Sequence, residues 1–389
     1  MYPIILAGGV GTRLWPVSRK NAPKQMKIFY GKESLLRHTW RRIAGKFKIQ
    51  DIFLATSSEF FNLVKLDLPE IKRQNISLEP CRRDTAPALG LALAKVHKRD
   101  NNAVFTLVNS DGHIKNEKEY FRMLDLAEKT VKKHPEKIVL IGVKPKYPET
   151  GYGYIRMGNE FLKFPHPLLP PPPKGRGREG GGGFSSNINK FDEIYTVESF
   201  VEKPDLKTAQ KMVDSWEYLW NATMIVSRVD TFLSLYKKYL PKIYKGLMEI
   251  EKSIGAVREK EVIKNEFLKM DKISLDYGIL EKVSKNEPGK MLALPADLGW
   301  ADVGHWRAVF DVLSDKKNNN VVYGQYFGLD SNKNLIYNLS QKLVVTLGLE
   351  EMIVVEMPDV VFVAPKSKAQ EVKRLVGEME KDRKLKKFI

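Results

Sequence analysis

Through the first half of the chain, short apolar runs alternate with stretches whose apolar residues recur at helical spacing. "PIILAGG", "DIFLATS", "AVFTLVNSD" and "KIVLIGV" are the apolar runs; "SLLRHTWRRIAG", "APALGLALAKVHKRD" and "EYFRMLDLAEKTVKKH" lie between and after them. Strand and helix in turn, with strands apolar on both faces, predict an α/β fold built on a doubly wound sheet. In such a sheet ligands bind beyond the carboxyl ends of the strands, where "AGGVGTR" and "NSDGH" both fall.

The pattern changes twice. Residues 163–190, "KFPHPLLPPPPKGRGREGGGGFSSNINK", hold four consecutive prolines and an Arg/Gly stretch that cannot pack a core, and read as a solvated, mobile insertion. They separate "TGYGYIRMG" from "YTVESFVEKPD", which are expected to be neighbouring strands. Residues 314–320, "SDKKNNN", read as a linker closing a domain of residues 1–313. Beyond it "NVVYGQYFGLD", "NLIYNL", "KLVVTLG", "MIVVEM" and "VVFVAP" are short strands at regular spacing, followed by a helix from Ser367, so 321–389 is expected to be a small β domain with a helical end.

Composition narrows the class. With 389 residues, 43% hydrophobic and 29% charged, the chain can bury a large core. No apolar run approaches the roughly 20 residues of a membrane helix, and "MYPIILAGG" enters a strand at once, so neither membrane nor export is expected. A single cysteine, Cys81, excludes an internal disulfide and suits the cytoplasm. The net charge of +18 raises nucleic acid as a partner. However, the lysines alternate with glutamates, as in "AEKTVKKHPEK", and no basic stretch carries interleaved aromatics. A field that draws in polyanionic nucleotides accounts for the charge, and nucleic acid is not expected.

Gly8, Gly9 and Gly11 come directly after the first strand. Glycines let backbone N–H groups converge on an anion, so the loop reads as a phosphate cradle, with a plain tight turn as the competing reading. It is not a Rossmann fingerprint: Leu14 stands where a third glycine belongs, and Pro16 and Pro23 break the segment where a helix would have to open. It is not a Walker loop either, since it lacks Gly-Lys-Ser/Thr. Arg13 would then be a bidentate clamp and Lys24 a mobile point charge. Triphosphate chemistry needs a divalent cation held by carboxylates. Asp111 in "FTLVNSDGHI" and Asp302 in "LGWADVGHW" are the candidates, two aspartates from distant strands that can converge on one Mg²⁺.

At these residues the chain resembles the sugar-nucleotide pyrophosphorylases, and within them the mannose-1-phosphate guanylyltransferases. "LAGGVGTRLWPVSRKNAPKQ", "EPCRRDTAPAL", "GYGYI", "FVEKPD", "WNATM", "SLDYGILEK" and "LGWADVGHW" carry the resemblance, in the family's order. It implies a nucleotidyltransferase fold and transfer of GMP from GTP to mannose 1-phosphate, with release of pyrophosphate and Mg²⁺ as cofactor. It implies that Gly8, Gly9, Gly11, Thr12 and Arg13 wrap the triphosphate and that Lys24 approaches the phosphate under attack. Glu79 and the "RRDTAPA" run that starts at Arg82, with Arg83, Thr85 and Ala86, would line the base pocket, and Asp111 and Asp302 would hold the metal. Gly153, Glu202, Lys203, Asn221 and Asp276 would surround the sugar phosphate, with Lys203 joining Arg13 and Lys24 as the catalytic cations. A homodimer through the C-terminal domain belongs to the same expectation. A fused phosphomannose isomerase, present in longer relatives, is not expected here.

The chain departs from the family pattern at three places. The usual Pro-x-Asp-His is Asn109-Ser110-Asp111-Gly112, with His113 displaced by one; the usual Asn-Ser-Gly is Asn221-Ala222-Thr223; and the 163–190 insertion is extra. Two alternatives stay open on the sequence: a regulatory or binding homologue that has lost catalysis, and a pyrophosphorylase for another nucleotide or hexose.

Overall fold

The computed structural model describes residues 1–165, 191–314 and 319–389. In chain order its strands are Tyr2–Leu6 (β1), Phe53–Ser57 (β2), Ile76–Glu79 (β3), Val104–Asn109 (β4), Gly112–His113 (β5), Ile138–Val143 (β6), Gly153–Pro165 (β7), Phe191–Glu202 (β8), Tyr218–Arg228 (β9), Met291–Ala296 (β10) and Ala301–Asp302 (β11). The C-terminal strands are Val321–Tyr323 (β12), Tyr326–Leu329 (β13), Leu335–Asn338 (β14), Val344–Leu347 (β15), Met352–Glu356 (β16) and Val361–Pro365 (β17).

Nine of these form one mixed sheet in the order β3-β2-β1-β4-β9-β6-β10-β8-β7, with β7 also pairing with β9. The strands at its heart are parallel: β1 to β2 and β4, and β6 to β10. Strand β9 runs antiparallel between β4 and β6. Every residue of β2 and β6 is buried, so helices must cover both faces. Leu36, Trp40, Met123 and Leu124, from helices Leu35–Ala44 and Glu117–Lys133, cover one. The other is covered by Thr85–Arg99 and the pair Val229–Tyr239 and Pro241–Ser253.

Strands β7 and β8 are antiparallel neighbours, as expected of the segments flanking the Pro/Gly-rich stretch. Residues 163–165 belong to β7 itself; the rest of that stretch, 166–190, and 315–318 of the expected linker lie outside the described residues.

The C-terminal strands stack in parallel: β12, β14 and β16 form one sheet closed by antiparallel β17, and β13 pairs with β15 beside it. This is a β-helix, a more specific arrangement than the short-strand domain the sequence predicts. Its helix starts at Val372, later than expected, because Lys366–Glu371 forms a tighter 3₁₀ segment. Trp15, Phe29, Trp306, Tyr337, Phe362 and Val376 share one core that welds the β-helix to the segment after the glycine loop.

Strand β9 carries a bulge: Ile141 faces Met224, but Gly142 faces Asn221, leaving Ala222 and Thr223 as extra residues. Thr223 sits at φ +54°, a left-handed conformation that a β-branched residue adopts only under strain. Thr223→Gly is therefore expected to stabilise the chain by about 1 kcal/mol. A rise in the urea midpoint with an unchanged m-value is the check; a lower midpoint would show that the bulge is not strained.

Candidate active site

Strand β1 ends at Leu6, and the chain turns over the sheet's carboxyl edge into a cleft of about 490 Å³. Gly8, Gly9, Gly11, Thr12, Arg13 and Lys24 all line it. Gly11 is confined to glycine twice over: its φ is +77°, and a Cβ there would stand 2.6 Å from the Cβ of Lys24. At Gly9, by contrast, an added Cβ meets nothing within 4 Å, so that stretch of backbone faces open space.

The two candidate metal ligands meet because β5 pairs with β11, Gly112 opposite Asp302, while the Val303 N–H donates to the Asp111 carbonyl (3.1 Å). Lys24 lies between them, its ammonium in contact with Asp111 Oδ2 and 3.8 Å from Asp302 Oδ1. Burial opposes its charge, but the two carboxylates outweigh burial and hold Lys24 above its ordinary range. A Cβ on Gly304 would come within 2.6 Å of Asp302 Oδ2, so that carboxylate also needs a glycine beside it. Behind Asp111, Thr39 Oγ1 donates to the Ser110 carbonyl (3.2 Å) and the Arg42 guanidinium to the Gly112 carbonyl (3.1 Å).

Two carboxylates beside a phosphate cleft fit Mg²⁺, which takes one or two protein carboxylates and completes its shell with water and phosphate oxygens. Among the described residues no group of three or more His, Cys, Asp or Glu converges as an all-protein cage would require.

Glu79, at the end of β3, marks the far end of the same cleft. It is 4% exposed, and no described protein group hydrogen-bonds to its carboxyl. Burial pushes it up to about 8. Thr85 lines the cleft as the sequence predicts, but Arg83 and Ala86 do not. Asp84 turns the chain at φ +69° and caps the following helix, accepting from the Thr85 N–H at 2.8 Å. That turn sends Arg82 to the cleft, leaves Arg83 donating to the Leu268 carbonyl (2.6 Å), and buries Ala86 in the core.

A second cleft, of about 120 Å³, shares Asn109 and Asp302 with the first. Gly153, Glu202, Lys203, Asn221 and Asp276, the five predicted sugar-phosphate residues, all line it. Asn221, on the β9 bulge, donates from Nδ2 to Asp276 Oδ1 (2.9 Å), and Asp276 opens a single π-helical turn. Burial first, then the nearby Glu202, raise Asp276 to about 7. Gly153 lets Glu202 approach: a Cβ there would lie 2.5 Å from Glu202 Oε2.

His113 turns away to pack edge-on against Tyr30 (4.9 Å), and burial pushes it down to about 4. His305 is fully buried, accepts from the Ala308 N–H at its Nδ1, and is pushed down to about 3 by burial and then Arg13. Both are neutral at pH 7. Arg82, in the "RRDTAPA" run, lines the first cleft with Thr85; sequence reasoning misses Gln25, Lys272 and Lys373 there and Tyr152 and Trp300 in the second. Gln25 adjoins Lys24 and is within reach of the same motif; Lys272 and Lys373 carry no local signal.

Comparison with known proteins gives two family matches. The nucleotidyl transferase model matches residues 2–164 and 188–319, and the mannose-phosphate isomerase/GMP-like β-helix model matches 324–379. The chain is 32% identical over 384 residues to the xanthan biosynthesis protein XanB of Xanthomonas campestris pv. campestris, covering 98% of this chain and 73% of that one. It is 31% identical over 392 residues to the mannose-1-phosphate guanylyltransferase of Escherichia coli, covering 98% and 74%. A Thermus thermophilus crystal structure, named as a mannose-1-phosphate geranyltransferase, superposes with a TM-score of 0.77 at 29% identity, over 97% of this chain and 99% of that one.

The glycine loop yields a direct test. Gly11→Ala forces a strained φ and displaces Lys24, so it is expected to cost about 2 kcal/mol of stability and to weaken GTP binding roughly tenfold. Native melting temperature and native affinity by fluorescence titration would show that neither constraint operates.

Proposed function

This chain belongs to the nucleotidyl transferase family, and from that premise we infer that it transfers GMP from GTP to mannose 1-phosphate, forming GDP-mannose and pyrophosphate. The observation that carries this reading is the meeting of two clefts at one charged junction. The first cleft runs from the buried carboxyl of Glu79, at the end of β3, past the glycine loop after β1 to Lys24, Asp111 and Asp302, and the second cleft shares Asp302 and Asn109 with it.

A phosphate oxygen of mannose 1-phosphate attacks the α-phosphorus of GTP in line; that P–O bond forms as the bond to the bridging β-phosphate oxygen breaks, and the electron pair leaves with pyrophosphate. The nucleophile is already anionic, so no general base is needed, and neither His113 nor His305 lines either cleft. Positioning and charge neutralisation do the work. Asp111 and Asp302 would hold Mg²⁺, which supplies Lewis-acid neutralisation of phosphate charge when bound. Arg13 has no carboxylate partner among the described residues and is available to clamp phosphate oxygens. Lys203, paired with Glu202, lines the second cleft and would meet the acceptor phosphate there, while Asp276 with Asn221 would read hexose hydroxyls. A cytoplasmic location suits these substrates and the single cysteine.

The apolar face of the β-helix supports the homodimer. Phe327 pairs with Val345 and Leu329 with Leu347 across β13 and β15, and all four are more than half exposed. A second copy of the chain would cover them. Sedimentation velocity is expected to show a dimer that the Phe327→Lys/Leu347→Lys double variant converts to a folded monomer; a monomeric parent chain would remove the proposal.

Pyrophosphate release, measured across four nucleoside triphosphates with mannose and glucose 1-phosphates, tests the reaction: GTP with mannose 1-phosphate should be fastest, and chelation of divalent cations should stop it. Glu79 tests base choice. Protonated near neutral pH without nucleotide, it becomes the carboxylate that accepts from both N1–H and the 2-amino group of guanine when those donors arrive, which adenine cannot offer. Glu79→Gln should lower the GTP-over-ATP preference roughly ten- to a hundredfold. The pH dependence has a definite sign. The native value of about 8 lies above the ordinary 4.5, so Glu79 costs stability progressively as pH rises from about 4.5 to 8. Without nucleotide, Glu79→Gln should therefore melt no lower than the parent at pH 8. Equal losses for GTP and ATP with a lower melting temperature would make Glu79 structural.

A further inference from the structure

In the segment 366–374, Lys366 pairs with Glu351, and Lys368 and Arg374 pair with Glu371. Lys373 has no carboxylate partner among the described residues. It stands in the first turn of the helix Val372–Met379, whose Val372 and Val376 are buried in the core shared with Leu14 and Trp15. The helix packs on the Thr12–Leu14 turn directly after the glycine loop. This docking carries Lys373 into the larger cleft, where it is a lining residue together with Thr12 and Arg13.

The position along the cleft decides what Lys373 meets. Across the sheet order β3-β2-β1-β4, Glu79 lies at the end of β3 and Lys24, Asp111 and Asp302 gather beyond β4, where the second cleft shares Asn109 and Asp302; in the proposed reading these are the base end and the acceptor junction. A triphosphate whose α-phosphorus lies at that junction runs its β- and γ-phosphates out past Gly11, Thr12 and Arg13. We propose that Lys373, a residue of the C-terminal domain, binds the pyrophosphate leaving group. The assignment rests on the guanylyl-transfer reading given above.

The chemistry suits an exposed lysine. As the bond from the α-phosphorus to the bridging oxygen breaks, negative charge grows on the departing pyrophosphate, and an ammonium on a flexible stem can follow it. Lys373 surrenders no ion pair to do so. The consequence is that the β-helix completes the active site of the other domain, and holding the helix Val372–Met379 against Thr12–Leu14 becomes a condition for handling pyrophosphate.

Isothermal titration of inorganic pyrophosphate into the full chain, with Mg²⁺ present, provides the test. K373M keeps the apolar stem and removes the charge; its Kd for pyrophosphate should rise roughly five- to twentyfold, by an amount that shrinks as salt screens the contact. K368M, which removes a lysine paired with Glu371, should leave Kd unchanged. In the reverse reaction K373M should raise KM for pyrophosphate and leave KM for GDP-mannose in place. Equal pyrophosphate affinity in K373M and the parent chain, or an equal loss in K368M, overturns the assignment. If the parent chain releases no pyrophosphate from GTP and mannose 1-phosphate while K373M still weakens pyrophosphate binding, the guanylyl-transfer reading falls and the anion contact of Lys373 stands.

Discussion

A partly buried ammonium between two carboxylates organises this molecule. Asp111 and Asp302 hold Lys24 charged against the cost of its partial burial, and the two aspartates would repel one another at the edge of the sheet without Lys24. The three come from the loop after β1, the end of β4 and the short strand β11, so their mutual need ties together segments far apart in the chain. Other features depend on it. Gly11 is glycine because the stem of Lys24 passes over it, Gly304 because Asp302 folds back on it, and β5 pairs with β11 so that both aspartates leave their strands at one place.

Around that junction, irregular backbone does the placing. The β9 bulge turns Asn221 toward Asp276, and a π-helical turn begins at Asp276 itself. Bulges and π-turns re-aim side chains that a regular strand or helix would point elsewhere. On the nucleotide side, the positive φ of Asp84 performs the same service, exchanging Arg82 for Arg83 at the cleft wall. The Thr223 N–H closes the bulge locally by donating to Asn221 Oδ1, and a tertiary bond from the Leu275 N–H to Thr85 Oγ1 ties the Asp84 turn to the π-helical segment.

The β-helix is more than an appendage. Trp15 donates from its indole N–H to the Phe388 carbonyl, Trp306 donates to the Trp15 carbonyl, and the Tyr337 hydroxyl donates to the Ile28 carbonyl. These bonds and the shared apolar core fasten the segment after the glycine loop to the C-terminal domain. A glycine-rich loop has little side-chain packing of its own, and it gains definition from the groups that grip its far end.

The sequence by itself determined the strands and helices of the central sheet, because apolar periodicity is a local property and burial on both faces leaves an unmistakable run such as "KIVLIGV". It also marked the glycine loop, Lys24, the two aspartates, Glu79 and, through the family resemblance, the five residues that the structure brings together along the smaller cleft, because those residues sit in short local motifs. Only the tertiary structure decided the rest. It leaves the Arg83 and Ala86 side chains off the cleft wall, since one residue at positive φ changes which side chains face a cleft. It turned a series of short strands into a β-helix, since parallel stacking is set by strand pairing rather than strand composition. It brought Lys272, in the loop after the helix Glu259–Lys269, and Lys373, on the helix Val372–Met379, to the larger cleft, since a lone lysine looks the same in sequence whether it faces solvent or a cleft, and only the docking of its segment tells the two apart.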